Sequence, residues 1–111
     1  MIKQLLSLVL MVLPLVASAD AVEIDGIYYN LITKGNIAEV TSNPNKYTGS
    51  IVIPETVNHN NVIYSVMRIG SYAFSDCSGL TSVTIPDSVT SIGDFAFANR
   101  ICNSSCTVYI S

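Results

Sequence analysis

The chain has 111 residues, enough for one small domain. Half of them are hydrophobic, a figure inflated by an apolar leader. Beyond Ala19, all eight acids face four bases (Lys34, Lys46, Arg68 and Arg100), a net charge of −4 with no basic patch, which argues against nucleic acid and anionic membrane surfaces.

The leader comes first. Lys3 precedes an apolar run from Leu5 to Val16, and Ala17-Ser18-Ala19 follows. A charged start, an apolar middle and small residues at a cleavage point are the parts of a secretory signal peptide, expected over 1–19, with cleavage after Ala21 as the close competitor. The run is too short for a bilayer core, which needs roughly 20 residues. The residue directly after the cleavage point is Asp20, or Val22 for the competitor, and not Cys, which argues against a lipid anchor there.

A β-hairpin cap is expected over 22–50. Ile27, Tyr29 and Leu31 alternate with Tyr28, Asn30 and Ile32, the period of a strand. Lys34-Gly35-Asn36 can turn the chain, because Gly and Asn tolerate positive φ. Ile37 to Thr41 then returns, and Ser42-Asn43-Pro44-Asn45-Lys46 reads as a loop.

A repeat occupies 51–111. Ile69-Gly70-Ser71-Tyr72-Ala73-Phe74 recurs 23 residues later as Ile92-Gly93-Asp94-Phe95-Ala96-Phe97. A fixed period of this size marks a solenoid, in which each coil buries its apolar edge against the next. An earlier, worn copy runs through Ile51-Val52-Ile53-Pro54, and nine extra residues follow Val57. That insert, with Asn58-His59-Asn60-Asn61 and Val62-Ile63-Tyr64, reads as a second small hairpin with an Asn-rich tip. Cys102 to Ile110 is a third copy, in which Ser105 stands where Leu80 would be and two residues are added near Arg100-Ile101.

Within the clean copy, Leu80-x-x-Val83-x-Ile85 is the pattern of a leucine-rich repeat. It turns Val83 and Ile85 inward and Thr84 outward. Pro86 cannot donate a ladder hydrogen bond and ends the strand. Val89 and Ile92 are expected to carry the next inward stripe, and Gly93 to form a tight corner. Phe95-Ala96-Phe97 is expected to make a short helical turn with Phe97 buried. Leu80, Val83, Ile85, Val89, Ile92, Phe74 and Phe97 are the expected core.

The stretch Ile69 to Phe97 closely resembles the BspA-like leucine-rich repeats of bacterial surface proteins, whose signature runs IP-x-S-V-T-S-I-G-x-x-A-F-x-x-C-x-x-L-T-S-V. The resemblance covers roughly Ile51 to Ile110, and the leading hairpin looks like the usual cap of such proteins. It implies a mostly β fold, a short solenoid of 23-residue repeats. It also implies a secreted or cell-surface module that binds a protein on a host or neighbouring cell, an adhesin-type role without catalysis or cofactor. The alternative is a truncated structural remnant of a longer repeat protein with no binding role of its own.

The chemistry-bearing residues point the same way. His59 is the single histidine and falls in the Asn-rich tip, so it reads as a solvated loop residue. A Cys–His nucleophile would need it beside Cys77, Cys102 or Cys106. Cys102-x-x-x-Cys106 with one distant His is not a zinc spacing. Asp76, Asp87 and Asp94 fall at turns, where Asp caps backbone N–H groups. Asn103-Ser104-Ser105 matches a glycosylation acceptor, a pattern common by chance. Cys77 and Cys102 share a slot in successive coils. A bridge is geometrically open at ~4.8 Å strand spacing, but the slot suits a small buried apolar side chain, so Cys77 is expected to be free.

The remaining candidate is the outer strand face. Ser50, Val52, Ser82, Thr84, Thr107 and Tyr109 are expected to point outward in register. Of these, Ser82, Thr84, Thr107 and Tyr109 are the candidate binding residues, because solenoids bind through extended faces. A Ser/Thr ladder that merely keeps the sheet soluble is the simpler reading of each residue alone. Val108-Tyr109-Ile110 is a β-prone strand with nothing after it, so the C-terminal coil is expected to self-associate or fray.

Overall fold

Alternation of apolar and polar residues sets the strands, and turn residues set where they stop. A computed structural model describes residues 21–98 and 107–110. The signal segment, the added residues at Arg100-Ile101, Cys102, the Asn103 acceptor, Ser105 and Cys106 lie outside the described residues. All nine elements among those described are strands. They are β1 (Val22–Ile24), β2 (Ile27–Ile32), β3 (Ile37–Thr41), β4 (Gly49–Val52), β5 (Thr56–His59), β6 (Val62–Ile69), β7 (Leu80–Ile85), β8 (Ser91–Ile92) and β9 (Thr107–Ile110).

The leading segment is a three-stranded antiparallel meander rather than one hairpin. The extra turn is Asp25-Gly26, with φ of 52° and 89°. Two consecutive positive-φ residues match the twist of a tight hairpin, and Asp-Gly is a preferred pair for it. β2 turns into β3 through the four residues 33–36, where the Asn36 N–H donates to the Thr33 carbonyl oxygen and Gly35 and Asn36 have φ of 94° and 53°. β3 then pairs in parallel with β6, so the meander continues the sheet of the repeats.

The nine-residue insert forms the hairpin of β5 and β6, with Asn60 and Asn61 at φ of 52° and 66°. His59 is the last residue of β5, half-buried opposite Val62, and not a free loop residue.

Coils stack in parallel ladders. One sheet runs β4-β7-β9, and the other carries β3-β6 with β8 beside the end of β6. A third ladder joins the turns. The amides of Tyr72, Phe74 and Asp76 donate to the carbonyls of Asp94, Ala96 and Ala98. The inward residues Leu80, Val83, Ile85 and Phe74 are fully buried, with Ile69, Val66, Tyr47 and Cys77 around them. Cys77 is a free thiol whose Sγ lies 3.7 Å from the Ser75 carbonyl oxygen.

Two expectations need correction. The segment around Phe95 is not a helical turn but a chain of four-residue turns, with the Ala96 N–H donating to the Gly93 carbonyl oxygen and the Ala98 N–H to that of Phe95. Tyr72 and Phe95 have φ of 61° and 58°, which breaks right-handed helix geometry. Ile92 is exposed rather than inward, because no described coil stacks on its far side. Val89 and Phe97 are half-buried for the same reason. Gly93 does open the turn after β8, its carbonyl oxygen accepting from the Ala96 N–H, and close approach makes glycine necessary there. Its N–H donates to the Ile69 carbonyl at 2.7 Å, and a Cβ there would lie 2.5 Å from the Ser71 nitrogen. Gly70 repeats the arrangement one coil earlier, on the Val40 carbonyl oxygen at 2.7 Å.

Candidate interaction face

Parallel register places the outward residues of three strands in rows. Ser50, Ser82 and Thr107 stand side by side across β4, β7 and β9. Val52, Thr84 and Tyr109 form the next row. Their alternation with the buried Val83 and Ile85 sends all six to the side away from the core. The Ser50 and Ser82 hydroxyl oxygens are 2.8 Å apart, a hydrogen bond that satisfies both across the strand gap. Val52 and Tyr109 are 64% and 56% exposed and flank the half-exposed Thr84. The face therefore has a hydroxyl row and a more apolar row, with no charged side chain in either. Thr107 is exposed beside Ser82.

A tyrosine bolt holds the first coil to the meander. Tyr47 follows the Asn-Pro-Asn loop and gave no repeat signal, because it precedes Phe74 by 27 residues and not by 23. Its hydroxyl donates to the Thr41 carbonyl oxygen at 2.6 Å and accepts from the Tyr28 N–H at 3.0 Å. Its ring centroid lies 4.9 Å from that of Phe74, which in turn stacks on Phe97 at 5.3 Å and 6°. This internal aromatic row fixes the outer face relative to the cap. A second, exposed pair, Tyr72 on Phe95 at 5.4 Å, runs along the turns.

A groove of about 380 Å³ lies where the meander meets the first coil, lined by Ile24, Asp25, Tyr29, Val52, Pro54 and Val57 among others. Burial pushes the Tyr29 phenol up to about 12, and the nearby Asp25 carboxylate adds to the shift. Burial also raises Tyr47 well above its ordinary value, although the bond from the Tyr28 amide opposes this. Both groups stay protonated in the fold at a pH where the unfolded chain has already lost the protons. Stability from this source is thus complete below pH 10 and is lost as pH climbs towards 12. Urea midpoints are expected to fall between those values, and Tyr29→Phe is expected to shrink the fall. An equal fall in that variant would assign the effect to other groups.

No group of three or more His, Cys, Asp or Glu side chains gathers among the described residues in a way that could hold a metal ion. What the ladders and the rows define is a leucine-rich repeat protein. The family model described as the BspA type leucine rich repeat region (6 copies) matches residues 45–111, and the chain belongs to that family. Three solved structures are similar to it. One is a leucine-rich repeat protein from Bacteroides capillosus, 34% identical with a TM-score of 0.68, covering 83% of this chain and 66% of that one. The second is a leucine rich cell surface protein from Faecalibacterium prausnitzii, 34% identical with a TM-score of 0.64 over 82% of this chain. The third is a leucine-rich repeat protein from Bacteroides ovatus, 32% identical with a TM-score of 0.66 over 81% of this chain. The chain spans 23% of the length of each of the last two. Among curated proteins, none matches.

Proposed function

We propose that the protein is an exported interaction module of adhesin type, which binds a protein on a host or neighbouring cell through the outer face of β4, β7 and β9 and performs no catalysis. The observation that carries this reading is the row Val52–Thr84–Tyr109. It sets two exposed apolar side chains on a rigid sheet at fixed spacing, beside a hydroxyl row that can exchange hydrogen bonds with a partner. Tyr is enriched at interface hot spots, and the exposed Val52 and the hydroxyl row supply the apolar and polar surroundings that such an anchor needs. The signal-like leader supports export. Family membership supports a surface location, since the Faecalibacterium prausnitzii relative is described as a cell surface protein.

The test uses beads coated with the exported protein and an epithelial monolayer. Retention should exceed that of blank beads and should drop about tenfold or more with Val52→Glu, the loss expected for an anchor worth at least ~1.4 kcal/mol. Circular dichroism and a denaturation curve of the variant confirm that it is folded. Retention no greater than on blank beads, or unchanged in Val52→Glu, would remove the face from this role.

A further inference from the structure

The groove between the meander and the first coil is built from two segments far apart in the chain, 24–29 and 52–58. Its walls are mostly apolar, with Ile24 and Ile27 on the meander side and Val52, Pro54 and Val57 on the coil side. Two polar groups break that lining. Tyr29 is 1% exposed, so its ring is packed, yet its hydroxyl has no hydrogen-bond partner among the described residues. Among those residues, Ser88 Oγ is the side-chain oxygen that is both sealed from solvent and unpaired. The Tyr29 hydroxyl is therefore not sealed, and it opens into the groove that it lines. Asp25, exposed at its positive-φ turn, lines the same groove, and its carboxylate is near enough to act on the phenol. Glu55, exposed between Pro54 and Thr56, adds negative charge beside the coil wall. No Lys or Arg is among the described lining residues.

We infer that this groove takes a lysine side chain of the bound protein, its stem against the apolar walls and its ammonium between the Asp25 carboxylate and the Tyr29 hydroxyl. The inference rests on the function proposed above in one respect, that the lysine is carried by a protein partner. The lining decides the chemistry. An anion would meet two carboxylates and no base. A wholly apolar occupant would strip water from Asp25 and the Tyr29 hydroxyl and give nothing back, which is costly for a hydroxyl and more so for a charge. A guanidinium carries five donors in a fixed fork, whereas an ammonium carries three that rotate to fit. One lining carboxylate, one hydroxyl and water at the mouth match the ammonium. Lysine also lays its four-carbon stem along apolar surface while its charged head stays partly wet, so the head is not fully desolvated. The net charge of −4 beyond Ala19 draws a basic partner by the same sign. Val52 belongs both to the groove and to the outer row with Thr84 and Tyr109. A partner lying on that row thus reaches the groove without leaving the sheet.

The experiment uses the full chain, expressed with its leader, purified after export and labelled with heavy nitrogen. The probe is Nα-acetyl-lysine methylamide, followed by nuclear magnetic resonance. Saturable shifts are expected at the amides of Ile24, Asp25, Tyr29 and Val57. Nα-acetyl-norleucine methylamide keeps the stem and lacks the ammonium, and it is expected to bind about threefold or more weakly, the size of a partly exposed ion pair. Asp25→Asn is expected to cause the same loss for the lysine probe. Asn-Gly suits the turn as well as Asp-Gly, so the groove is kept, and intact mass confirms that the amide has not hydrolysed. Butylammonium separates a free amine from a side chain, and it is expected to bind no more tightly than the lysine probe. No saturable shift, equal binding of the norleucine probe, lysine binding unchanged in Asp25→Asn, or tighter binding of butylammonium would each overturn the inference. The titration contains no cell, so its failure is distinct from a failure of the bead assay, which would remove the adhesion reading while lysine binding persists.

Discussion

Replacing Phe74 with alanine is expected to remove about 3–5 kcal/mol of stability, the range for a fully buried aromatic side chain. Phe74 is completely buried, and its ring lies between Tyr47 on one side and Phe97 on the other. Truncation opens a cavity that neither neighbour can fill. The Tyr47 ring is held by the two hydrogen bonds of its hydroxyl, and Phe97 is held by the ladder bond from the Phe74 amide to the Ala96 carbonyl. The loss therefore combines transfer free energy with an uncollapsed void, and it also loosens the meander from the coils. Phe95 occupies a turn position two residues before Phe97 but is 62% exposed, so Phe95→Ala is expected to cost under about 1 kcal/mol. Chemical denaturation of the two variants decides it. Similar losses at Phe74 and Phe95 would contradict an internal and an external aromatic row.

Leu80→Ala is expected to cost about 2–5 kcal/mol, again from a cavity in a closely packed interior. Leu80 opens β7, is 1% exposed, and stands where the chain leaves the turn with its N–H donating to the Cys77 carbonyl at 3.1 Å. Thr84 faces the other side, because the register shifts between the Gly49–Leu80 and Ser50–Ser82 pairs and the regular alternation of Val83, Thr84 and Ile85 begins only after it. Its replacement by alanine is expected to cost under about 0.5 kcal/mol, because the outer row loses a hydroxyl and little packing. Urea midpoints of both variants, compared at equal slope, give the difference. Equal losses would mean that the strand is turned over or buried on both faces.

These contrasts follow from signals of unequal reach. The 23-residue period, the Leu80-x-x-Val83-x-Ile85 pattern and the stop at Pro86 are local, and each corresponds to a feature of β7 and its turns. The register of the outer rows was legible too, because two copies of one pattern stack without offset: Ser50 beside Ser82, Val52 beside Thr84. Tyr47 was not legible. Its role depends on a 27-residue separation outside the period and on hydrogen bonds to backbone groups of the meander. Gly93 was legible as a corner, but the lack of space against the Ser71 backbone was not, because that contact comes from the neighbouring coil.

Ile92 shows where the division lies. Its place in the repeat marks it as an inward residue, and the inner-coil counterpart Ile69 is indeed buried. Alternation and period state which way a side chain points from its own strand, because the pleat and the coil are made by neighbouring residues. They established the β-rich repeat architecture, the core of the complete coil and the makeup of the outer face. Burial depends on what stacks above, which is a property of other coils. Only the tertiary structure could show that Ile69, Val83 and Ile85 are covered while Ile92, Val108 and Ile110 are open. The joining of meander and repeats through β3, β6 and Tyr47 was decided at the same level, because those contacts link segments that share no sequence pattern.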